Sequence, residues 1–181
     1  MLLMTPPRLY SVSQGNNGTF THKGKQAYAF DFPKPAGTTV LAARGGRVVG
    51  TRESASQSCW NPNAVNSDGT TGACQNCNGA KAANFVKVKH RDGTFGVYFH
   101  FQLNGVLVNN GQRVYRGNPL GLVGTTGCST GNHTHFHVVR PEDDGTTIPI
   151  RFEVLTLPSF QFDGCYLPPS NSSAFSTNVP Q

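Results

Sequence analysis

The segment GNHTHFHV, residues 131–138, places His133, His135 and His137 at alternate positions. Successive side chains of a β-strand point to opposite faces, so these imidazoles would share one face with neighbours about 7 Å apart. The Thr, Phe and Val between and after them would point the other way and form a side suited to a core. A helix would instead place the first two histidines on nearly opposite sides. The pattern therefore predicts a strand with a metal or proton-transfer site on an open sheet face.

Two earlier segments supply further polar residues for such a site. His22 and Asp31 lie in THKGKQAYAFDF, and Asp31 falls within the strand-like run Tyr28–Phe32. His100 lies in a second strand-like stretch, Phe95–Phe101. Each residue alone is more often structural than functional. Because catalytic zinc takes three protein ligands of nitrogen and oxygen type and keeps one open position, their combination on predicted strands indicates a metal site.

The rest of the chain predicts a loop-rich β protein. Gly and Pro account for 21 and 12 of 181 residues, and only 13% are charged. No helical periodicity, internal repeat or membrane-length apolar run is evident. Turn pairs recur at Gly45-Gly46, Asp92-Gly93, Asn104-Gly105, Asn110-Gly111 and Asp144-Gly145. We expect one all-β domain built as an antiparallel sheet with an open groove, and we interpret His90, beside one of these turns, as structural.

Three motifs in this order also resemble a known family. The segments HKGKQAYAFDF, VYFHF and GLVGTTGCSTGNHTHFHV are similar to those of the lysostaphin-type (LytM-type) zinc metallopeptidases, over roughly residues 15–140. The resemblance implies one zinc ion per chain, held by His22, Asp31 and His135. It implies catalytic roles for His100 and His133, without deciding which of them is the base. His137 stands where many relatives carry a carboxylate or another residue. It could therefore hydrogen-bond to one of the metal ligands, or compete with them for the metal ion.

The function that this resemblance implies is zinc-dependent endopeptidase activity on the stems or crossbridges of bacterial peptidoglycan. A bound zinc ion would activate water for peptide hydrolysis. A catalytically inactive relative that binds cell wall or regulates another hydrolase is the main alternative. A metal-binding or carrier module is another, because Val106–Gly124 also resembles lipoyl-type hairpins, although no lysine stands at a turn tip there.

The net charge of +6 bears on partners. Lysines and arginines are scattered along the sequence, without the basic stripe and interleaved aromatics of a nucleic-acid module. We therefore expect no nucleic-acid partner. The charge favours either an attraction to anionic wall polymers or simply solubility, and the sequence leaves both open. We expect no membrane span and a monomeric chain.

The cysteines indicate the compartment. Cys59, Cys74 and Cys77 lie in residues 54–82, a segment rich in Asn, Gly and Ser that is expected to be an inserted loop. A zinc knuckle would need a fourth ligand nearby, so disulfides formed in an oxidising compartment are favoured. We expect at least one bridge in this loop, at the rim of the groove. With Cys128 and Cys165 the total is five, which leaves one thiol over.

These features give the expected organisation of the chain. Residues 1–14 would form an N-terminal extension, 15–155 the metallopeptidase domain including the 54–82 insert, and 156–181 a C-terminal extension that is partly a surface tail. The first residues lack the basic and apolar regions of a signal peptide. We expect a mature domain of a secreted or periplasmic protein.

Overall fold

A computed structural model describes residues 10–67 and 69–152 together with the backbone of 173–174. The elements in this part are almost entirely strands, as the sequence predicts, with two short 3-10 helices at Gly24–Gln26 and Gly79–Lys81. No α-helix occurs among the described residues, and none of their helices has the length and apolar character needed to cross a membrane. The strands are β1 (Tyr10–Ser11), β2 (Phe30–Pro33), β3 (Thr39–Leu41), β4 (Gly46–Arg52), β5 (Trp60–Val65), β6 (Thr71–Cys74), β7 (Phe85–Lys89), β8 (Phe95–Phe99), β9 (Phe101–Val106), β10 (Arg113–Val114), β11 (Pro119–Val123), β12 (His133–Val139) and β13 (Ser173–Ala174).

Antiparallel pairing organises these strands into two main sheets. The larger has six strands in the order β10-β4-β7-β8-β12-β2, and the smaller has three in the order β3-β11-β9. Two short ribbons, β5-β6 and β1-β13, complete the arrangement. The histidine-rich strand β12 lies between β8 and β2, so both of its neighbours can contribute to a site on its open face.

The core occupies the space between the two sheets. Alternate residues of the six-stranded sheet, including Phe30, Val88 and Phe136, belong to one cluster with Phe101 and Leu120 of the smaller sheet. On β12 the Thr, Phe and Val at even positions are buried, as the alternation predicts. The imidazoles of this strand therefore lie on the face of the six-stranded sheet that points away from the core.

A buried tyrosine joins the six-stranded sheet to the loop that follows β3. The hydroxyl oxygen of Tyr98 on β8 accepts a hydrogen bond from the backbone N–H of Ala43 at 2.8 Å. The side chain is fully buried in the centre of the core, where its hydroxyl needs a partner. Burial raises the pKa of Tyr98 above its ordinary value.

Several predicted boundaries differ from the structure. His22 lies in an irregular segment and not on a strand, and the strand that carries Asp31 begins at Phe30 and not at Tyr28. The Asn104-Gly105 pair lies inside β9, where Asn104 has a φ of 53°. The Asn-Gly pair therefore marks a local kink within one strand, and the hairpin turn predicted from it is wrong.

The insert, residues 54–82, contains more regular structure than the loop that composition predicts. It carries the β5-β6 ribbon and the second 3-10 helix. Disulfides join Cys59 to Cys77 within the insert and Cys74 to Cys128, which precedes β12. The expectation of a bridge in this segment is confirmed, and the three sulfurs that lie close enough to hold a metal are used in disulfides. Cys165 lies outside the described residues.

Tyr98→Phe should lower the free energy of unfolding by about 1–3 kcal/mol, because it removes the buried acceptor of the Ala43 N–H. Since the pKa of Tyr98 is raised in the folded state, its contribution is present below the unfolded pKa near 10 and is lost as the pH rises further. Urea unfolding at about pH 9 and about pH 11 should show a larger alkaline loss in the wild type than in the variant. Tyr115→Phe, at a position 63% exposed, is the matched control. An equal alkaline loss in all three proteins would contradict the prediction.

Candidate metal centre and active-site groove

The register of three strands brings the predicted metal ligands together. His135 on β12 lies directly opposite Asp31 on β2 and Phe99 on β8, so the three side chains share one face. His22 reaches the same place from the segment before the first 3-10 helix. One nitrogen or oxygen from each of His22, Asp31 and His135 lies within 4.8 Å of the others. Among the described residues, one other group of side chains, Cys59, Cys74 and Cys77, has potential ligand atoms this close together, and its sulfurs are used in disulfides.

His22 is held so that one ring nitrogen is free to bind a metal. Its side chain is completely buried, and Nδ1 lies 3.1 Å from the carbonyl oxygen of Gly15. Because a carbonyl only accepts hydrogen bonds, Nδ1 carries the proton and Nε2 presents a lone pair. Nε2 makes no hydrogen bond, although it lies 3.2 Å from Oδ2 of Asp31. A buried polar atom without a hydrogen bond is costly, so this geometry fits a nitrogen reserved for a metal ion.

Asp31 is the anionic centre of the site. Burial by itself would raise the pKa of this carboxyl, but the close imidazoles of His135 and His22 and the charges of His135 and His133 hold its pKa well below the ordinary value. Oδ1 lies 2.9 Å from Nδ1 of His135 and 3.5 Å from Nε2 of His133. The carboxylate is therefore ionised at neutral pH and faces three imidazoles.

His137 contacts a predicted ligand but is not a member of the three-residue cluster. Its Nδ1 lies 3.0 Å from Nε2 of His135. Burial lowers the pKa of His137 to about 3, and the charges of His135, His22 and Lys87 add to this effect. A neutral His137 can accept the Nε2 proton of His135, which leaves Nδ1 of His135 as a lone pair beside Asp31.

The two predicted catalytic histidines have the same arrangement of hydrogen bonds. Nδ1 of His100 lies 2.7 Å from the carbonyl oxygen of Thr126, and Nδ1 of His133 lies 2.8 Å from that of Gly131. Each Nδ1 therefore donates, and each Nε2 is left as an acceptor. The ring centroids are 4.6 Å apart. Burial lowers the pKa of His100 to about 3, with smaller contributions from the charges of His133 and His135, so it is neutral at physiological pH.

A buried asparagine fixes the unusual backbone of His100. This residue separates β8 from β9 with a φ of 70°, a left-handed conformation that non-glycine residues rarely adopt. Its N–H donates to the carbonyl oxygen of Asn84 at 3.0 Å. The Asn84 side chain, fully buried, exchanges two hydrogen bonds with Ala55 and also donates to the carbonyl of Phe101. Nothing in the sequence around Asn84 indicates this role.

Gln14 is a second site residue that the sequence does not reveal. Its amide nitrogen donates to Oδ2 of Asp31 at 3.0 Å, and its amide oxygen accepts the backbone N–H groups of Thr21 and His22. It thus positions two of the predicted metal ligands at once. The predicted boundary assigns Gln14 to an N-terminal extension, and its contacts show that it belongs with the site.

The site lies in an open groove of about 440 Å³. Phe20 and Trp60 meet edge to face at one rim, with ring centroids 5.5 Å apart. Cys77 and Cys128 also line the groove, so the stapled insert forms one of its walls, as the sequence predicts. His90 lies elsewhere, with Nδ1 2.9 Å from the carbonyl oxygen of Gly45, in agreement with a structural role.

The domain model of peptidase family M23 matches residues 25–148. The chain belongs to this family. The resemblance to the lysostaphin type is therefore confirmed, and the match includes the segment Val106–Gly124 that also suggested a carrier module. It begins just after His22, so the placement of that residue beside Asp31 rests on the structure.

Two curated relatives are peptidoglycan DD-endopeptidases of Vibrio cholerae. ShyA is 31% identical over 137 residues, which are 74% of this chain and 23% of ShyA. ShyB is 40% identical over 65 residues, which are 34% of this chain and 15% of ShyB. The chain thus spans less than a quarter of the length of these relatives.

Solved structures share the fold. The catalytic domain of the prophage-encoded M23 protein EnpA of Enterococcus faecalis superposes with a TM-score of 0.52 at 18% identity, over 81% of this chain and 92% of that one. Lysostaphin of Staphylococcus simulans superposes with a TM-score of 0.50 at 24% identity, over 76% of this chain and 45% of that one. The predicted all-β, lysostaphin-type architecture is confirmed.

Reduction should loosen the groove wall formed by the insert. The Cys74–Cys128 bridge spans 54 residues and Cys59–Cys77 spans 18, worth about 4 and about 3 kcal/mol in the chain-entropy account. Trp60 in the insert is the single tryptophan, so its fluorescence reports on this segment. We expect C74A/C128A to shift Trp60 emission to the red more than C59A/C77A does, because only the former removes the covalent link between the insert and the loop before β12. An unchanged emission in both would contradict this account.

Gln14→Ala should weaken the binding of a divalent metal ion at this cluster by about 10–100-fold, the usual effect of losing a residue that orients metal ligands. The fold should persist, since Gln14 contacts the site and not the core cluster. Competition with a chromogenic chelator measures the affinity. Gln57→Ala, at an exposed position, is the control, and equal affinities in the two variants would be evidence against a positioning role.

Proposed function

We propose that this protein is a zinc-dependent endopeptidase that hydrolyses peptide bonds in bacterial peptidoglycan. The observation that carries the proposal is the cluster of His22, Asp31 and His135, with ligand atoms within 4.8 Å of one another. Two imidazoles and one carboxylate form a typical donor set for catalytic zinc. The unpaired Nε2 of buried His22 supports a metal ion at this place.

These three residues would hold one zinc ion. When bound, zinc polarises a substrate carbonyl and lowers the pKa of coordinated water toward neutrality. Asp31 offsets positive charge at the site, and His137 orients His135 by accepting its Nε2 proton.

The proton-handling groups would be His100 and His133. Each presents an unprotonated Nε2 toward the groove because each Nδ1 donates to a backbone carbonyl. Either can therefore accept a proton from an attacking water. His100 is buried, and this burial lowers its pKa to about 3. His133, nearer to Asp31, would be stabilised by that carboxylate once it becomes cationic, which favours it as the base.

The substrate class follows from the family and from the groove. ShyA and ShyB act, by name, on peptidoglycan. The groove is open at the surface, and its aromatic rim of Phe20 and Trp60 suits a peptide that carries small apolar side chains. Two disulfides support an exported, secreted or periplasmic protein.

Alanine substitution should separate metal binding from catalysis. H22A, D31A and H135A should each lose zinc, because two ligands hold the ion far more weakly than three. H100A and H133A should keep about one zinc per chain and lose turnover by about 100-fold or more, the usual contribution of a general acid or base. Metal content and cleavage of a soluble muropeptide measure the two properties.

Opposite behaviour of the histidine pair on β12, with zinc lost in H133A and kept in H135A, would refute the assignment.

Chelation should abolish cleavage and zinc should restore it. Acidification should release zinc, since protonated imidazole cannot be a ligand. Burial lowers the pKa of His135, so protonation of this ligand should begin only below the ordinary histidine pKa. Zinc-loaded protein that binds wall and cleaves no peptide would support the inactive-relative alternative.

A further inference from the structure

Three basic side chains occupy directly opposite positions on neighbouring strands of the six-stranded sheet. Arg47 on β4 lies opposite Arg113 on β10 and opposite Lys89 on β7. Opposite side chains in an antiparallel pair lie on the same face, with Cβ atoms about 5 Å apart. All three are exposed, whereas the valine next to each along the chain is buried. These residues, which we call the basic row, therefore lie on the open face of the sheet.

The basic row borders a cleft of about 630 Å³ that contains two more cations. Arg44 and Arg91 also line it, together with exposed Tyr115. No acidic side chain is among the described residues that line this cleft. Asp92, at its edge, pairs with Arg44 at 2.5 Å. The positive charge of the basic row is therefore left without a carboxylate partner inside the cleft.

This arrangement costs stability and has no evident role in folding. Like charges directly opposite each other in a sheet are destabilising. Arg47 donates one hydrogen bond to the carbonyl of Gly111, and Arg113 lies over the ring of Tyr115 at 5.8 Å. Neither contact requires a cation at all three positions. An anionic ligand would turn the repulsion into attraction.

The basic row and the metal centre lie on the same face of the same sheet. Phe95, at the start of β8, is opposite Lys89, and Phe99, at its end, is opposite His135. Four residues of strand separate the two positions, which corresponds to about 14 Å. Lys87 lies between them, with Nζ 4.3 Å from the ring centroid of Phe95. A polymer that runs from the metal centre along β8 and then across β7 and β4 could thus contact the metal centre and the basic row at once.

We infer that the basic row binds free carboxylate groups of the peptidoglycan whose peptide is cleaved at the metal centre. The inference rests on the proposed function. Guanidinium groups bind carboxylates through paired hydrogen bonds, and two of the three residues are arginines. Along the strand direction the separation is about 14 Å, or about four residues of extended peptide, and the two arginines lie two and three strands to the side of β8. The carboxylate that is bound therefore lies on the same wall segment as the cleaved bond but outside the groove.

Binding to purified sacculi tests this directly, with zinc removed by a chelator so that nothing is cleaved. The variant R47Q/R113Q should bind about tenfold more weakly than the wild type at low salt, since each exposed ion pair contributes up to about fivefold. The control R140Q/R151Q removes two exposed arginines outside the six-stranded sheet and should bind within about twofold of the wild type. Converting the carboxylates of the sacculi to amides should remove the difference between the two variants.

Three outcomes would overturn the inference. Equal binding by the two double variants would mean that only net charge matters. A difference that survives amidation of the sacculi, but disappears after acid removal of attached phosphate polymers, would assign the row to phosphates. If the basic row bound single-stranded DNA more tightly than sacculi, its ligand would be nucleic acid and not the carboxylates of the wall. Cleavage of a short soluble muropeptide, measured separately with zinc, should be unchanged in both variants. If the wild type did not cleave this muropeptide, the result would count against the proposed function alone.

Discussion

The antiparallel register of β12 between β2 and β8 is the constraint on which the site depends. It places His135 opposite Asp31 on one side and Phe99 on the other. Because side chains alternate with a period of two, a slip of one residue would turn every imidazole toward the core and every core residue toward the groove. Phe136 and Thr134, both buried, would resist this slip, since their burial is lost in the shifted register. Burial of the side chains on one face of β12 therefore determines which side chains of the other face line the groove.

Gathering five imidazoles and one carboxylate in one groove is electrostatically and sterically demanding, and backbone carbonyls make it possible. Gly15, Thr126 and Gly131 each accept the Nδ1 proton of a different histidine. These contacts fix three rings in the same tautomer and direct each Nε2 inward. Burial then keeps His100 neutral, so the charge at the site comes mainly from Asp31. The result is a set of lone pairs converging on one volume, the arrangement that a cation requires.

The insert connects one wall of the groove to the same framework. The Cys74–Cys128 bridge ties β6 to the loop that leads into β12, and the Asn84 side chain ties the start of the insert to the backbone beside His100. Both sides of the groove thus depend on tertiary contacts of a segment that adds little to the core.

Local sequence determined those features that depend on neighbours along the chain. The alternation in β12, the Asp92-Gly93 turn between β7 and β8 and the all-β character follow from side-chain period and turn chemistry. The predicted ligand and catalytic residues could be named because their motifs resemble a family. Their convergence in space still had to come from strand pairing.

Tertiary structure decided what joins distant positions. Gln14 beside Asp31, Asn84 beside His100 and Cys128 as the partner of Cys74 depend on contacts that no short motif specifies. The basic row is the clearest case, since its cations look scattered in the sequence and become neighbours only when β10, β4 and β7 align. The physical reason is that pairing register is set by burial of the whole sheet and by closure of long loops, and neither is encoded in a local segment.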